Sequence, residues 1–440
     1  MPRRSHGRAL SIWANGEPVG EWRIPARGPT ELVYDRRWLA SPAGRPLSLS
    51  LPFGLGDTPL VGPVVEHWFD NLLPDHDAIR RRIASRFRAE SLAAFDLLAA
   101  IGRDCVGAVQ LLPAGETPRV DRIDGTPLTE ADVEAMLGRV STVERWQGDP
   151  DDLRISLAGA QEKTALLWHD GRWLRPHGAT PTTHIFKLPL GLVGHRRVDF
   201  TTSIENEWLC LAALRAYGLP VPDAALLRFG AARVLAVERF DRRLHSSGRW
   251  WLRLPQEDLC QAYGLPTRAK YEVDGGPGWD ALVDVARGSI DARADLDRLA
   301  RTQVLFWMLA APDGHAKNFS LHLLPGGAYR ATPLYDVMSI WPVEGNGPNQ
   351  WSWHRARMAM ALRAKNRHDR FADVVPHHFD ATARRCGHSA GARPLLDELV
   401  ARTPQVIEAL GATLPPGFPA RVADRIFAGL RRSARTLEHG

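Results

Sequence analysis

Apolar and polar positions alternate over residues 9–14 and 19–24 on either side of Asn15-Gly16. That dipeptide suits a two-residue hairpin, so the chain is expected to open with two antiparallel strands. Residues 31–35 and the Leu-Ser-Leu-Ser-Leu run at 47–51 extend the strand pattern. A helical pattern follows from about 63 to 100, with Arg80, Arg81 and Arg82 as a solvated charged face, and a strand at 107–112 stops at Pro113. Residues 113–127, rich in Pro, Gly and charge, read as a linker. Thr129 caps a short helix at 130–140, and 147–152 is a second break. Strand patterns return at 164–169 and 184–188. A helix spans 203–217 and closes at Gly218, and strands at 224–229 and 233–239 pair across Gly230. Beyond Pro255 the pattern turns helical, over 256–263, 278–286, 295–311 and much of 366–440. The expected class is α+β, with a β-rich N-terminal half and a mainly helical C-terminal lobe. Four parts are expected: a β-rich module (1–113), a linker with a short helix (114–150), a second β-rich lobe (151–255) and a helical lobe (256–440).

Composition narrows the picture only a little. The 440 residues are 44% hydrophobic and 24% charged, which excludes a disordered or collagen-like chain. The cysteines, Cys105, Cys210, Cys260 and Cys386, lack any C-x-x-C spacing and read as buried apolar side chains. The basic N-terminus is followed by no apolar signal region, and the longest apolar stretch of interest is far too short for a membrane span. A soluble, cytoplasmic protein is expected. A net charge of +6 favours an anionic partner without choosing between nucleotide and nucleic acid. Lysine is more informative, because only five of the 56 cationic residues are lysine. Three of these, Lys163, Lys187 and Lys317, fall in segments that carry chemistry on other grounds, where a compact ammonium differs in use from a planar guanidinium.

The first such segment is Pro312-Asp313-Gly-His315-Ala-Lys317-Asn318. Asp313 and Asn318 stand in the D-x-x-x-x-N spacing by which protein kinases place a catalytic base and a magnesium ligand. Residues 319–324 and 329–334 form a hairpin around Pro325-Gly326-Gly327, which returns Tyr335-Asp336 beside Asn318. Asp336 then stands as a second metal-binding oxygen. Lys187 sits in an apolar strand and needs an anion. Glu205 and Glu207 on the next helix are candidates, and Glu207 falls on the packed face of the helical wheel. The small residues Ala158-Gly159-Ala160, followed by Gln161-Glu162-Lys163, are suited to backbone approach to phosphates. Glu238-Arg239-Phe240, where the two halves meet, reads as a hinge whose backbone could hold an adenine edge.

With these residues in view, the chain resembles the HipA toxins, serine/threonine kinases of bacterial type II toxin–antitoxin modules. The matching strings include Ser156-Leu-Ala-Gly-Ala-Gln-Glu-Lys163, His184-Ile-Phe-Lys187, Glu205-Asn-Glu207-Trp208, Val237-Glu-Arg-Phe-Asp-Arg242, Asp313-Gly-His-Ala-Lys-Asn318-Phe319 and Leu334-Tyr-Asp336-Val-Met338. In the first module they include Phe69-Asp-Asn-Leu-Leu-Pro74 and Ile101-Gly-Arg-Asp-Cys-Val-Gly107. The resemblance covers roughly 9–400 and implies a protein-kinase-like, two-lobed fold with a nucleotide-binding lobe at 151–255. It implies ATP and Mg2+ as cofactors, with Asp313 as catalytic base and Asn318 and Asp336 on the metal. Lys187, the loop 158–163, the hinge 238–240 and the neighbouring His315, Lys317 and Tyr335 are implied to line the nucleotide, with Glu207 as the ion-pair partner of Lys187. Ser156 is implied to be autophosphorylated, switching the kinase off. The implied partners are a small dimeric helix-turn-helix antitoxin (HipB-like), operator DNA through that complex, and an aminoacyl-tRNA synthetase as substrate, with no membrane. The alternative is a non-catalytic corepressor that binds antitoxin at operator DNA, but it has no physical need for Asp313, Asn318 and Asp336 together. A small-molecule phosphotransferase would share the metal site but not the loop at Ser156.

Overall fold

A computed structural model of the chain describes residues 7–54, 58–140, 157, 161–194 and 197–439. Strands Arg8–Ala14 and Glu17–Ile24 turn at Asn15 and Gly16, which take φ of 51° and 86°. Those left-handed angles are what a tight hairpin turn demands, and Asn and Gly adopt them at least cost. Flanked by Glu31–Tyr34, Leu60–Val61 and Val109–Pro113, the hairpin forms a five-stranded antiparallel sheet. Trp22 from this sheet stacks on Phe69 with ring centroids 4.1 Å apart.

Three expectations for this module need correction. The helical stretch is three helices, Pro63–Asp70, Asp77–Phe87 and Ala94–Ile101, interrupted near Pro74 and at Arg88, whose φ is 55°. Only Arg81 of the arginine triplet is solvated; Arg80 pairs with Asp70 and Arg82 with Glu162. Residues 47–51 are a turn with a single bridge between Ser48 and Leu51. Their alternation has another cause, since the hydroxyls of Ser48 and Ser50 both donate to the Gln261 carbonyl of the helical lobe.

The second sheet has six strands, in the order Ala224–Phe229, Ala232–Glu238, His184–Lys187, Lys163–His169, Arg172–Pro176 and Gly125–Pro127. Strands of period two present alternate residues to opposite faces. Phe186 and Val234 meet the helix Glu130–Val140 through Val133 and Leu137, whereas Leu235 and Val237 meet Ile204 of the helix Ser203–Ala216. Residues 125–127, expected within the linker, are instead an edge strand of this sheet, and the expected helix 130–140 packs on it through Val133, Met136 and Leu137.

The remaining lobe is built on Trp279–Arg287, Ala292–Met308, Arg393–Thr413 and Ala420–His439. Gln256–Asp258, expected as helix, is a strand beside Ser320–Leu323. The helix begins only at Leu259, where Asp258 and Gln261 form a reciprocal capping box. Within the region read as helical, Arg367–Arg370 instead pairs with Arg357–Arg363 as a hairpin. All four cysteines are buried and free. Among the described residues, no helix is long and apolar enough to cross a membrane.

The first module is clamped to the rest by buried charge. Asp104 faces Arg242 at 2.9 Å, Arg253 at 3.2 Å and Arg239 at 3.4 Å, while Asp241 faces Arg239 and Arg242 at 2.9 and 3.0 Å. Burial pushes the Asp104 carboxyl up, but the three guanidiniums outweigh it and bring it down to about 2.

Candidate active site

A cavity of about 870 Å³ lies where the lobes meet, within the roughly 300–1,000 Å³ common for small-molecule sites. Lys187 is the last residue of its strand, and because Phe186 and Lys187 point to opposite faces the ammonium turns towards the helix Ser203–Ala216. Its Nζ donates to Glu207 at 2.7 Å and to Asp336 at 2.8 Å. Glu205 turns to Arg233 at 2.6 Å. Burial lowers the affinity of Lys187 for its proton, but Asp336 and Glu207 more than reverse this, so the ammonium stays charged. Lys163 lies opposite Lys187 in register on the neighbouring strand, and burial brings it down to about 8.

Asp336 takes a φ of 58°, a left-handed conformation that Asp tolerates better than most residues. Its carboxylate is held low by Lys187 and Lys163, against the upward push of burial. Asn318, in the turn Ala316–Asn318, donates from Nδ2 to the Asp313 carbonyl at 2.6 Å and more weakly to the Asp336 carbonyl at 3.4 Å. One side chain therefore ties the Asp313 loop to the Asp336 loop, and its amide oxygen accepts no hydrogen bond among the described residues. Asp313 is half exposed and accepts the Tyr271 hydroxyl at 2.5 Å. His315 packs edge-on against Tyr271, and burial pushes its proton affinity down.

The other expected residues divide in two. Gln161 donates to the Leu188 carbonyl at 2.6 Å, Tyr335 donates to the Lys317 carbonyl at 2.8 Å, and the rings of Phe240 and Tyr335 lie 5.6 Å apart in the cavity wall. Glu238 also lines this wall. Arg239 lines the wall as well, while its guanidinium is committed to Asp241 and Asp104, its N–H donates to Thr183 and its carbonyl accepts from Arg242. Glu162 is engaged by Arg82 of the first module. Lys317 is buried and donates to Asp75 at 2.9 Å and to the Asn71 carbonyl at 3.2 Å. Ser156, Ala158, Gly159 and Ala160 lie outside the described residues.

Tyr271, Lys270 and Asp75 were missed from sequence. Lys270 donates to Asp75 at 2.7 Å, and Asp75 lies 195 positions away in the chain. The scarcity of lysine was the one signal that could have drawn attention to residue 270.

Among the described residues no three or more His, Cys, Asp or Glu cluster as a metal cage. Magnesium shared with phosphates needs no such cage, since one or two carboxylate or amide oxygens suffice. Asp336 and the amide oxygen of Asn318 fit that donor set.

A β-rich lobe and a helical lobe enclosing a lysine–glutamate pair, with an aspartate loop across the cleft, make a protein-kinase-like fold. The chain matches the HipA N-terminal domain over residues 10–112 and the HipA-like C-terminal domain over 155–407. It is 32% identical to the protein Y4mE of Sinorhizobium fredii over 76% of this chain and 77% of that protein. It is also 29% identical to the serine/threonine-protein kinase toxin HipA of Shewanella oneidensis over 73% of each. The solved Shewanella oneidensis complex of HipA, HipB and operator DNA contains a chain of the same fold, with a TM-score of 0.77, 22% identity and coverage of 98% and 97%. The chain belongs to the HipA family.

Proposed function

We propose that this protein is an ATP- and magnesium-dependent serine/threonine kinase, the toxin of a type II toxin–antitoxin module. The observation that carries the reading is the meeting of Asp313, Asn318, Asp336 and the Lys187–Glu207 pair in one cavity. In this reading Lys187 and Lys163 receive phosphate oxygens, and Glu238, Phe240 and Tyr335 flank the adenine end. Asp313, steadied by Tyr271, takes the proton of a serine or threonine hydroxyl. Asn318 and Asp336 would hold magnesium, whose chemistry here is to neutralise charge on the phosphate oxygens.

The name and assembly of the Shewanella relative support a small HipB-like antitoxin and its operator DNA as partners. The substrate in this reading is a translation protein, an aminoacyl-tRNA synthetase, and Ser156 is the residue on which the kinase limits itself. The test is nucleotide-dependent thermal stabilisation across a magnesium titration, beside transfer of label from ATP. Asp336→Ala and Asn318→Ala should lose the stabilisation or demand far more magnesium. An unchanged magnesium dependence in both would remove them from the metal site, and absence of stabilisation in the native chain would end the kinase reading.

A further inference from the structure

The chain carries a net charge of +6, yet residues 355–370 alone hold Arg355, Arg357, Arg363, Lys365, Arg367 and Arg370 against the single acid Asp369. Most of the excess charge is therefore gathered on one hairpin, Arg357–Arg363 with Arg367–Arg370. Its inner side chains, Met360, Ala361 and Leu362, are buried in the helical lobe, which leaves the cations outward on a fixed base. Arg357 and Arg367 share Asp369, and Arg363 pairs with Glu272. Among the described residues Arg355, Lys365 and Arg370 make no ion pair, and all three are exposed.

This hairpin is fastened beside the reacting end of the site. Glu272 accepts the Ala361 backbone N–H and the Arg363 guanidinium, each at 2.6 Å. Its immediate neighbour Tyr271 donates to Asp313. Arg355, Arg357 and Arg367 line the same cavity as Asp313, together with Val273 and Met358. Val273, two positions after Tyr271, is 71% exposed and adds an aliphatic side chain to the same lining.

We infer that the hairpin 355–370 is the acceptor-docking wall of the kinase, and that it selects a polypeptide segment with acidic residues beside its serine or threonine. The inference deepens the kinase reading and rests on it. Focused positive potential concentrates an anionic partner and fixes its register. RNA is equally anionic, but single-strand binding sites combine charge with aromatic platforms for bases. Here the rings nearest the cations are already engaged, Tyr271 on His315 and Trp351 against the core of the helical lobe, and the exposed apolar side chain is Val273, which suits peptide side chains.

The experiment uses the full chain with ATP and magnesium and three fluorescent serine peptides, with acidic, neutral or basic flanks, plus a single-stranded RNA of equal charge. Anisotropy reads docking and transferred label reads chemistry. The acidic peptide should bind and be phosphorylated best, with a preference that shrinks as salt rises. Arg355→Glu breaks no side-chain ion pair among the described residues, and should weaken docking of the acidic peptide by about fivefold or more, whereas Arg355→Lys should restore it. Equal docking of all peptides, or an Arg355→Glu variant with unchanged preference, would overturn the inference while transfer of label left the kinase reading standing. Tighter docking of the RNA than of the acidic peptide would overturn it in favour of a nucleic-acid surface. No transfer to any peptide and no stabilisation by nucleotide would overturn both.

Discussion

Asp75, in the first module, holds Lys317 at 2.9 Å, one residue before Asn318. Its other oxygen holds Lys270 at 2.7 Å, one residue before Tyr271. A single carboxylate from a separate module thus fixes the backbone on both sides of Asp313. Burial pushes that carboxyl up, but Lys317 and Lys270 outweigh it and keep it ionised.

Removing the carboxylate takes the anion from two ammonium groups, one of them buried with only the Asn71 carbonyl left to it among the described residues. Asp75→Ala should therefore cost about 3 kcal/mol of unfolding free energy in urea, in line with other broken buried pairs. In the fraction still folded, phosphoryl transfer should fall at least about tenfold, since misplacing catalytic groups by an ångström costs rate steeply. Asp75→Glu should recover part of both. Native turnover and stability in Asp75→Ala would mean that the first module does not set the catalytic loop.

Asp313→Asn should fold and bind nucleotide normally while transfer drops by about 10²–10⁴-fold, the usual contribution of a positioned base. Tyr271→Phe keeps the ring packed on His315 but loses the hydroxyl, so its defect should lie in turnover more than in nucleotide affinity. A labelled-ATP assay with a parallel binding titration separates the two.

Glu257 supplies a pH test away from the chemistry. It is fully buried, accepts the Leu49 N–H at 2.9 Å, and burial pushes its carboxyl up to about 8. The folded chain then keeps a proton that the unfolded chain has released above its ordinary value of 4.5. This group's contribution is complete below that value and declines as pH rises towards 8. Glu257→Gln mimics the protonated form, so the variant should melt above the native protein at pH 8, with the gap closing towards pH 5. A constant gap across that range would show that Glu257 is ionised in the fold.

Incubation with ATP and magnesium should give a phosphopeptide containing Ser156 in the native chain and none in Asp313→Asn. The added charge of about −1.5 to −2 should weaken nucleotide binding by competing for the cations that hold phosphates. Phosphate mapped only elsewhere by mass spectrometry would refute Ser156 as the self-limiting residue.

Local physics explains which features could be read in advance. The Asn15-Gly16 turn, the helix closing at Gly218 and the hairpin returning to Asp336 all follow from neighbouring residues. The choice of Glu207 over Glu205 needed only helical periodicity. What escaped depends on distant partners. The serines of 47–51 answer a carbonyl at Gln261, Arg239 answers Asp104, and Asp75 answers lysines some 200 and 240 positions away. No periodicity records such pairings, because a period describes one element and these contacts join modules. The strand at Gln256–Asp258 was missed for a smaller reason: the capping pair Asp258–Gln261 already marked where helix could begin.

The buried cluster around Asp104 has a consequence for how the molecule comes apart. Its three guanidiniums, at 239, 242 and 253, come from the hinge and the short strands that follow it, and its first carboxylate from the opening module, so parting the modules would leave arginines facing apolar surroundings with Asp104 gone. Partial opening there is the expensive event, and amides of the first sheet should exchange hydrogen with those of the six-stranded sheet in one cooperative step. The two domains should therefore unfold as one unit of stability. An opening module expressed alone, or a chain begun after it, should lack the protected slow-exchanging core that each contributes to the whole.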